Sequence, residues 1–238
     1  MKFAGVVVGD FSDRRHWKGE SRLAEVFRSL GLPLSEFPQG KTNEFLPTLH
    51  KISEGFDAAV VGHTDGEFYN LAENKKLLAN FERNDSDYGF GDNYPPGVLL
   101  EVLRREVLPV MENVRAASSL TVRREIFQDI MEKDVNMFDL ENQYAEVSLR
   151  TLRLSFFPDS VQNVDTLQKL RSLLPAGTDP AAADFKSFSE TILKNRHLLK
   201  TIPKYYEIEI ANVCGQRCVF CPRTGLPESS PKFMALED

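Results

Sequence analysis

Apolar runs and helical patterns alternate over the first third of the chain. Two compact apolar runs, at residues 3–8 and 58–62, have the composition of strands that are buried on both faces. Apolar residues recur at helical spacing between and after these runs, at residues 23–30, 42–54 and 71–81. Alternating strands and helices are typical of an α/β layer built on a parallel sheet. We therefore predict this fold class for the beginning of the chain.

The pattern is less regular from residue 87 onward. It predicts a short strand at residues 87–92 and a turn at residues 93–97. Further helices are predicted at residues 98–111, 120–131 and 164–174, and extended segments at 138–144 and 152–157. Pro, Gly and Ala are concentrated at residues 175–183, which indicates a linker. An amphipathic helix at residues 185–199 and a strand at 205–210 follow it.

Composition and charge exclude several classes of protein. The chain has 238 residues, 42% of them hydrophobic and 27% charged, which is typical of a globular protein with a sizeable core. A net charge of -6 gives no general reason to bind nucleic acid, so we expect no such partner. The apolar run at residues 3–8 is too short for a signal sequence or a membrane span. We therefore expect a soluble cytoplasmic protein with no membrane partner.

The three cysteines of the chain, Cys214, Cys218 and Cys221, lie in one short segment. An odd number of cysteines without a secretory signal argues against a disulfide framework. Thiolates favour iron–sulfur clusters, zinc and copper(I), and three of them can hold three corners of a [4Fe–4S] cube while the fourth iron stays open. A zinc site would need a fourth ligand, and the nearest histidine, His197, has no motif spacing. A zinc-binding interaction protein remains the alternative.

The cysteine segment follows a predicted strand and has the spacing Cys214-x-x-x-Cys218-x-Phe220-Cys221. This spacing resembles the cluster-binding loop of radical S-adenosylmethionine (SAM) enzymes. Residues 209–223 resemble the SPASM-type members of these enzymes. The resemblance implies that the three cysteines bind a [4Fe–4S] cluster and that Phe220 lies beside the adenine of SAM. It also implies reductive cleavage of SAM, with a reductant and a peptide or protein substrate as partners.

Three upstream segments resemble a sugar-activating cytidylyltransferase of the spore-coat-polysaccharide type: residues 60–66, residues 87–88 followed by 93–102, and residues 153–159. The resemblance implies that Asp65 and Asp159 hold Mg²⁺ between phosphate oxygens. The opening loop with which such enzymes grip a triphosphate has no counterpart in the sequence. We therefore expect the first half of this fold to be missing, the magnesium site to be vestigial, and the domain to serve as a scaffold or recognition domain.

A degenerate cytidylyltransferase-like domain before a radical SAM loop resembles the organisation of spiro-SPASM proteins. We predict an incomplete Rossmann-like nucleotidyltransferase (GT-A-like) domain at residues 1–174 and a linker and helix at 175–200. The first strand and cluster loop of a radical SAM β/α barrel are predicted at residues 201–238. Since the rest of this barrel is not present, we expect a gene fragment, or one part of a split enzyme, that is inactive alone.

The leading functional hypothesis is the N-terminal portion of a radical SAM enzyme. The first alternative is a nucleotide-sugar-binding or nucleotidyltransferase-like domain with an incidental metal loop. The second is the zinc-binding interaction protein. The sequence identifies neither the substrate nor the oligomeric state.

Overall fold

The computed structural model describes residues 1–9, 22–38, 41, 44–199, 219 and 233–234. The chain divides into two compact units, Met1–Thr201 and Ile202–Asp238. The predicted strand at residues 205–210 lies outside the described residues, and so do the cluster ligands and the adenine contact, Cys214, Cys218, Phe220 and Cys221.

Six strands of the first unit form one sheet in the order β2-β1-β3-β5-β4-β6. Their bounds are Phe3–Val8 (β1), Leu34–Glu36 (β2), Ala58–His63 (β3), Tyr88–Asp92 (β4), Glu101–Arg104 (β5) and Leu140–Tyr144 (β6). Neighbouring strands are parallel except at β5, which runs antiparallel to both β3 and β4. The predicted α/β class is thus confirmed, but the sheet is mixed. The carboxyl ends of five strands and the first residue of β5 share one edge.

Strand β5 corrects the prediction of a helix at residues 98–111. Within this segment Glu101–Arg104 form the strand, and an α-helix starts only at Leu108. Val102 packs into the core on one face of the sheet, and Leu103 packs into the core on the other face. A short apolar run has the same composition in a doubly buried strand as in a buried helix, so the pattern could not distinguish them.

Helices cover both faces of the sheet. They are Leu23–Ser29 (α1), Phe45–Ile52 (α2), Leu71–Asn84 (α3), Leu108–Ala117 (α4), Ile126–Met131 (α5), Val161–Leu173 (α6) and Phe185–Lys194 (α7). Apolar residues of α2, α4 and α5 form the core on one face, and those of α1 and α3 form the core on the other. No helix in the described part of the chain is long and apolar enough to cross a membrane.

A third core joins α6 and α7 to the loops beside the sheet. Phe188 of α7 stacks on Phe68, with ring centroids 6.1 Å apart, and Phe68 also contacts Phe156. Residues 152–157 do not form the predicted strand. Phe156 and Phe157 are both buried, but they pack into different cores, and the Phe156 N–H donates to the Pro96 carbonyl at 2.8 Å. These two residues are apolar because they pack into two different cores, and not because the segment pairs with a strand of the sheet.

Candidate functional site

A cavity of about 150 Å³ lies at the edge of the sheet where the parallel strands end. Aromatic and polar side chains from several segments line it, among them Tyr88, Phe90, Tyr94, Glu101, Arg124 and Phe157. Open α/β sheets bind their ligands in the crevice outside the carboxyl ends of their strands. The position and the mixture of aromatic and polar groups make this cavity the candidate site.

A tight turn after β3 positions Asp65 beside the cavity. The Thr64 N–H donates to the Val8 carbonyl at 3.0 Å, and the Gly66 N–H donates to the His63 carbonyl at 3.1 Å. The His63 N–H also donates to the hydroxyl of Tyr69 at 2.8 Å. A side chain at Gly66 would lie 2.4 Å from the ring of Tyr69, so this turn requires glycine. The Asp65 carboxylate is consequently held in a fixed, buried position.

Arg124 forms ion pairs with Asp65 and Asp159, the two aspartates for which the resemblance implies magnesium binding. Its Nη2 atom lies 2.5 Å from Oδ2 of Asp65 and 3.1 Å from Oδ1 of Asp159. Its Cζ atom lies 3.7 Å from the centroid of the Phe157 ring, a cation–π contact. The structure thus brings Asp65 and Asp159 together, as expected, but around a guanidinium.

The carboxylate pair in this arrangement does not fit a magnesium ion. Mg²⁺ needs oxygen ligands at about 2.0–2.1 Å in octahedral geometry, whereas Nη2 of Arg124 occupies the space between the two carboxylates. Within the described ranges, no group of three or more His, Cys, Asp or Glu residues is arranged to hold a metal ion. We therefore derive no metal-dependent step at this site.

The other terminal nitrogen of Arg124 is buried and unsatisfied. Its Nη1 atom has no hydrogen-bond partner in the described part of the chain, although the side chain is only 8% exposed and lines the cavity. Arginine stays protonated at all relevant pH values. A buried donor without an acceptor costs roughly 1–3 kcal/mol, and more when it is charged. An acceptor atom of a ligand that contacted this nitrogen would remove the cost.

A carboxyl group in the same cavity has a strongly shifted pKa. Burial raises the pKa of Glu101 to about 7, although a hydrogen bond from Tyr88 and the charge of Arg124 oppose the shift. The Tyr88 hydroxyl donates to Oε1 of Glu101 at 2.5 Å, and burial raises the pKa of this tyrosine well above its ordinary value. Glu101 therefore changes its charge near neutral pH. Carboxyl groups with such shifts are concentrated at functional sites.

Replacing Glu101 with glutamine is expected to stabilise the protein increasingly as the pH rises from 4.5 to 7, with the full gain above pH 7. The pKa of Glu101 in the folded protein lies above the ordinary value of 4.5, so folding favours the protonated carboxyl. The free energy of unfolding is therefore highest below pH 4.5 and decreases as the pH rises towards 7. Glutamine mimics the protonated form at every pH. We expect equal stability at pH 4.5 and a gain of about 1–3 kcal/mol at pH 8, measured by urea denaturation. The exposed Glu106→Gln control should show no such pH dependence.

The sequence located part of this site. The segment at residues 93–102, identified by resemblance, contributes Tyr94 and Glu101 to the cavity. Arg124 and Phe157 were not identified as site residues, because arginine in a charged stretch and phenylalanine in an apolar one have no distinctive pattern. Their importance depends on contacts that only the fold creates. The structure does not test the predicted cysteine and Phe220 sites, which lie outside the described residues.

No family model matches the chain. An uncharacterized protein from Treponema pallidum (strain Nichols) is 36% identical over 97 residues, which are 41% of this chain and 24% of that protein. The match thus spans about a quarter of the relative's length. The name of this relative gives no activity, and the radical SAM resemblance therefore depends on the cysteine motif alone.

Solved structures of cytidylyltransferase type resemble this chain. A cytidylyltransferase from Leptospira borgpetersenii serovar Hardjo-bovis aligns with a TM-score of 0.57 and 12% identity, over 87% of this chain and 100% of that one. CMP:2-keto-3-deoxy-manno-octonic acid synthetase complexed with CTP aligns with a TM-score of 0.42 and 10% identity, over 72% and 99%. We expected the first half of this fold to be missing, but the first alignment covers the whole Leptospira chain. The six-stranded sheet and its helices therefore have the cytidylyltransferase-like fold.

Proposed function

We propose that the first unit is a nucleotide- or nucleotide-sugar-binding domain that recognises its ligand without transferring a nucleotidyl group. The observation that carries the proposal is the buried Nη1 atom of Arg124, a charged donor without a partner among the described residues, on a side chain that lines the cavity. A phosphate oxygen would satisfy this donor through a charge-assisted hydrogen bond. The likeness of the fold to a cytidylyltransferase makes a nucleotide the first ligand class to test.

The other lining groups suit the remaining part of such a ligand. Tyr88, Phe90 and Tyr94 offer aromatic surface to a base or sugar ring, and Glu101 offers a carboxyl group that can donate below pH 7 and accept above it. The volume of about 150 Å³ is below the ~300–1,000 Å³ typical of complete ligand pockets. The cavity would therefore hold one portion of a nucleotide, with the remainder outside.

Calorimetric titration of the chain with CMP, CTP, CMP-sugars and UDP-sugars tests the proposal. We expect at least one of these ligands to bind, and Arg124→Gln to weaken binding by about 10- to 100-fold, since a hydrogen bond to a charged group contributes about 1.5–3 kcal/mol. Arg123→Gln is the matched control. It removes the same charge one residue away, from an exposed side chain that pairs with Asp129.

Two results would contradict this function. The first is the absence of binding for every ligand of the panel, and the second is equal weakening by both arginine substitutions. Equal weakening would mean that only net positive charge is needed, as in non-specific attraction of anions.

A second function is supported by a separate observation, the cysteine motif. We propose that residues 201–238 begin a radical SAM domain in which Cys214, Cys218 and Cys221 bind a [4Fe–4S] cluster and Phe220 lies beside the adenine of SAM. Three thiolates are a suitable donor set, and reduced thiolates fit a cytoplasmic location. The cluster would supply the electron for cleavage of SAM. A complete protein of this kind would modify a peptide or protein and would need a reductant.

Anaerobic reconstitution with iron and sulfide tests this second function. We expect about four irons and four sulfides per chain, and a loss of the cluster on Cys→Ala substitution at any of the three positions. Stoichiometric zinc without sulfide would contradict the proposal and would support the zinc-binding alternative. The result is independent of the nucleotide titration, because each experiment concerns a different unit.

A further inference from the structure

The connection between α4 and α5 places Arg124 between two carboxylates that belong to distant parts of the chain. Asp65 follows β3, and Asp159 precedes α6. The same nitrogen, Nη2, is within 3.1 Å of an oxygen from each. Paired carboxylates are also the groups that bind divalent cations in proteins.

Two contacts fix this arginine in its position. Its guanidinium lies 3.7 Å from the centroid of the Phe157 ring, which is itself 5% exposed. Its Nη2 atom also lies 2.5 Å from Oδ2 of Asp65, a carboxylate that is 2% exposed. The cation is therefore a positioned part of the fold and not a mobile surface group.

From this geometry we propose that Arg124 takes the place of a divalent cation. It neutralises Asp65 and Asp159 with Nη2, and its side chain lines the cavity, so the cavity binds an anionic ligand without a metal ion. The identity of the ligand rests on the proposed nucleotide-binding function. The replacement of a cation by Arg124 between Asp65 and Asp159 does not rest on that function.

Ligand titration with and without divalent cation is the first test. Affinity of the wild-type chain for the tightest ligand of the panel should differ by less than about twofold between excess EDTA and millimolar Mg²⁺. Binding that requires Mg²⁺, or that strengthens tenfold or more with it, would overturn the inference while leaving the nucleotide-binding function intact.

Substitution of Asp159 with asparagine is the second test. Asparagine keeps an oxygen that can accept the hydrogen bond from Nη2 of Arg124, but it is a poor metal ligand. If the aspartate only positions the arginine, ligand affinity in EDTA should change by less than about threefold. A loss of affinity that appears only when Mg²⁺ is present would identify Asp159 as a metal ligand and would overturn the inference.

Manganese binding to the ligand-free chain is a test that needs no nucleotide. We expect Asp159→Asn, at the more exposed carboxylate of the pair, to leave the electron paramagnetic resonance titration of Mn²⁺ unchanged, because the guanidinium excludes the ion from this pair. A bound Mn²⁺ that is present in the wild type and lost in Asp159→Asn would overturn the inference. This readout still decides the matter if no nucleotide of the panel binds.

Discussion

Replacing Arg124 with methionine is expected to lower the free energy of unfolding by about 3–5 kcal/mol, the cost of breaking a buried ion pair by removing one partner. Asp65 is 2% exposed and would lose the guanidinium that lies 2.5 Å away. The contact with the Phe157 ring would be lost as well. Methionine fills most of the volume, so the effect reports charge and hydrogen bonding more than packing.

The matched control is Arg123→Met, measured in the same urea denaturation series. The Arg123 side chain is 61% exposed, and exposed ion pairs contribute about 0–1 kcal/mol. The account therefore requires a large difference between substitutions of two consecutive arginines. Equal and small losses of stability would show that the Asp65–Arg124 contact contributes little in solution.

Replacing Phe188 with alanine is expected to lower the free energy of unfolding by about 3–5 kcal/mol, as for other buried aromatic side chains. Phe188 is 6% exposed and stacks on Phe68. The third core that contains both rings also contains Phe156, whose N–H is bonded to the Pro96 carbonyl at the edge of the cavity. Helix α7 thus belongs to the core that supports the candidate site.

Glu190→Ala is the control for this second prediction, because Glu190 is exposed on the same helix and alanine favours helix. We expect a change within about 0.5 kcal/mol. If Phe188→Ala also changed the urea midpoint this little, α7 would be a loosely attached segment, as the composition of the preceding residues suggested. The measurement therefore distinguishes a linker helix from a structural one.

Long, doubly buried elements were predictable from the sequence, and short or mixed ones were not. The runs that form β1 and β3 are apolar throughout and are bounded by turn residues, so local composition determines them. Strand β2 has only three residues, Leu34–Glu36, and carries no periodicity. Strand β5 was mistaken for a helix because Val102 and Leu103 are both buried, on opposite faces.

The candidate site was predictable only where a resemblance supplied it. The resemblance implies that Asp65 and Asp159 lie near one another, and both lie within 3.1 Å of Nη2 of Arg124. The resemblance could not indicate that Arg124 lies between them, since this contact depends on the path of the α4–α5 connection. The shifted pKa of Glu101 likewise follows from burial beside Tyr88, which no local pattern encodes.

A crystal structure of the chain with CTP, grown in the presence of EDTA, would show directly whether Arg124 binds the ligand in place of a cation. We expect a phosphate oxygen within about 3.2 Å of Nη1 of Arg124, with Nη2 still between Asp65 and Asp159. CTP bound elsewhere, or Arg124 turned out of the cavity with a cation required in its place, would contradict this expectation.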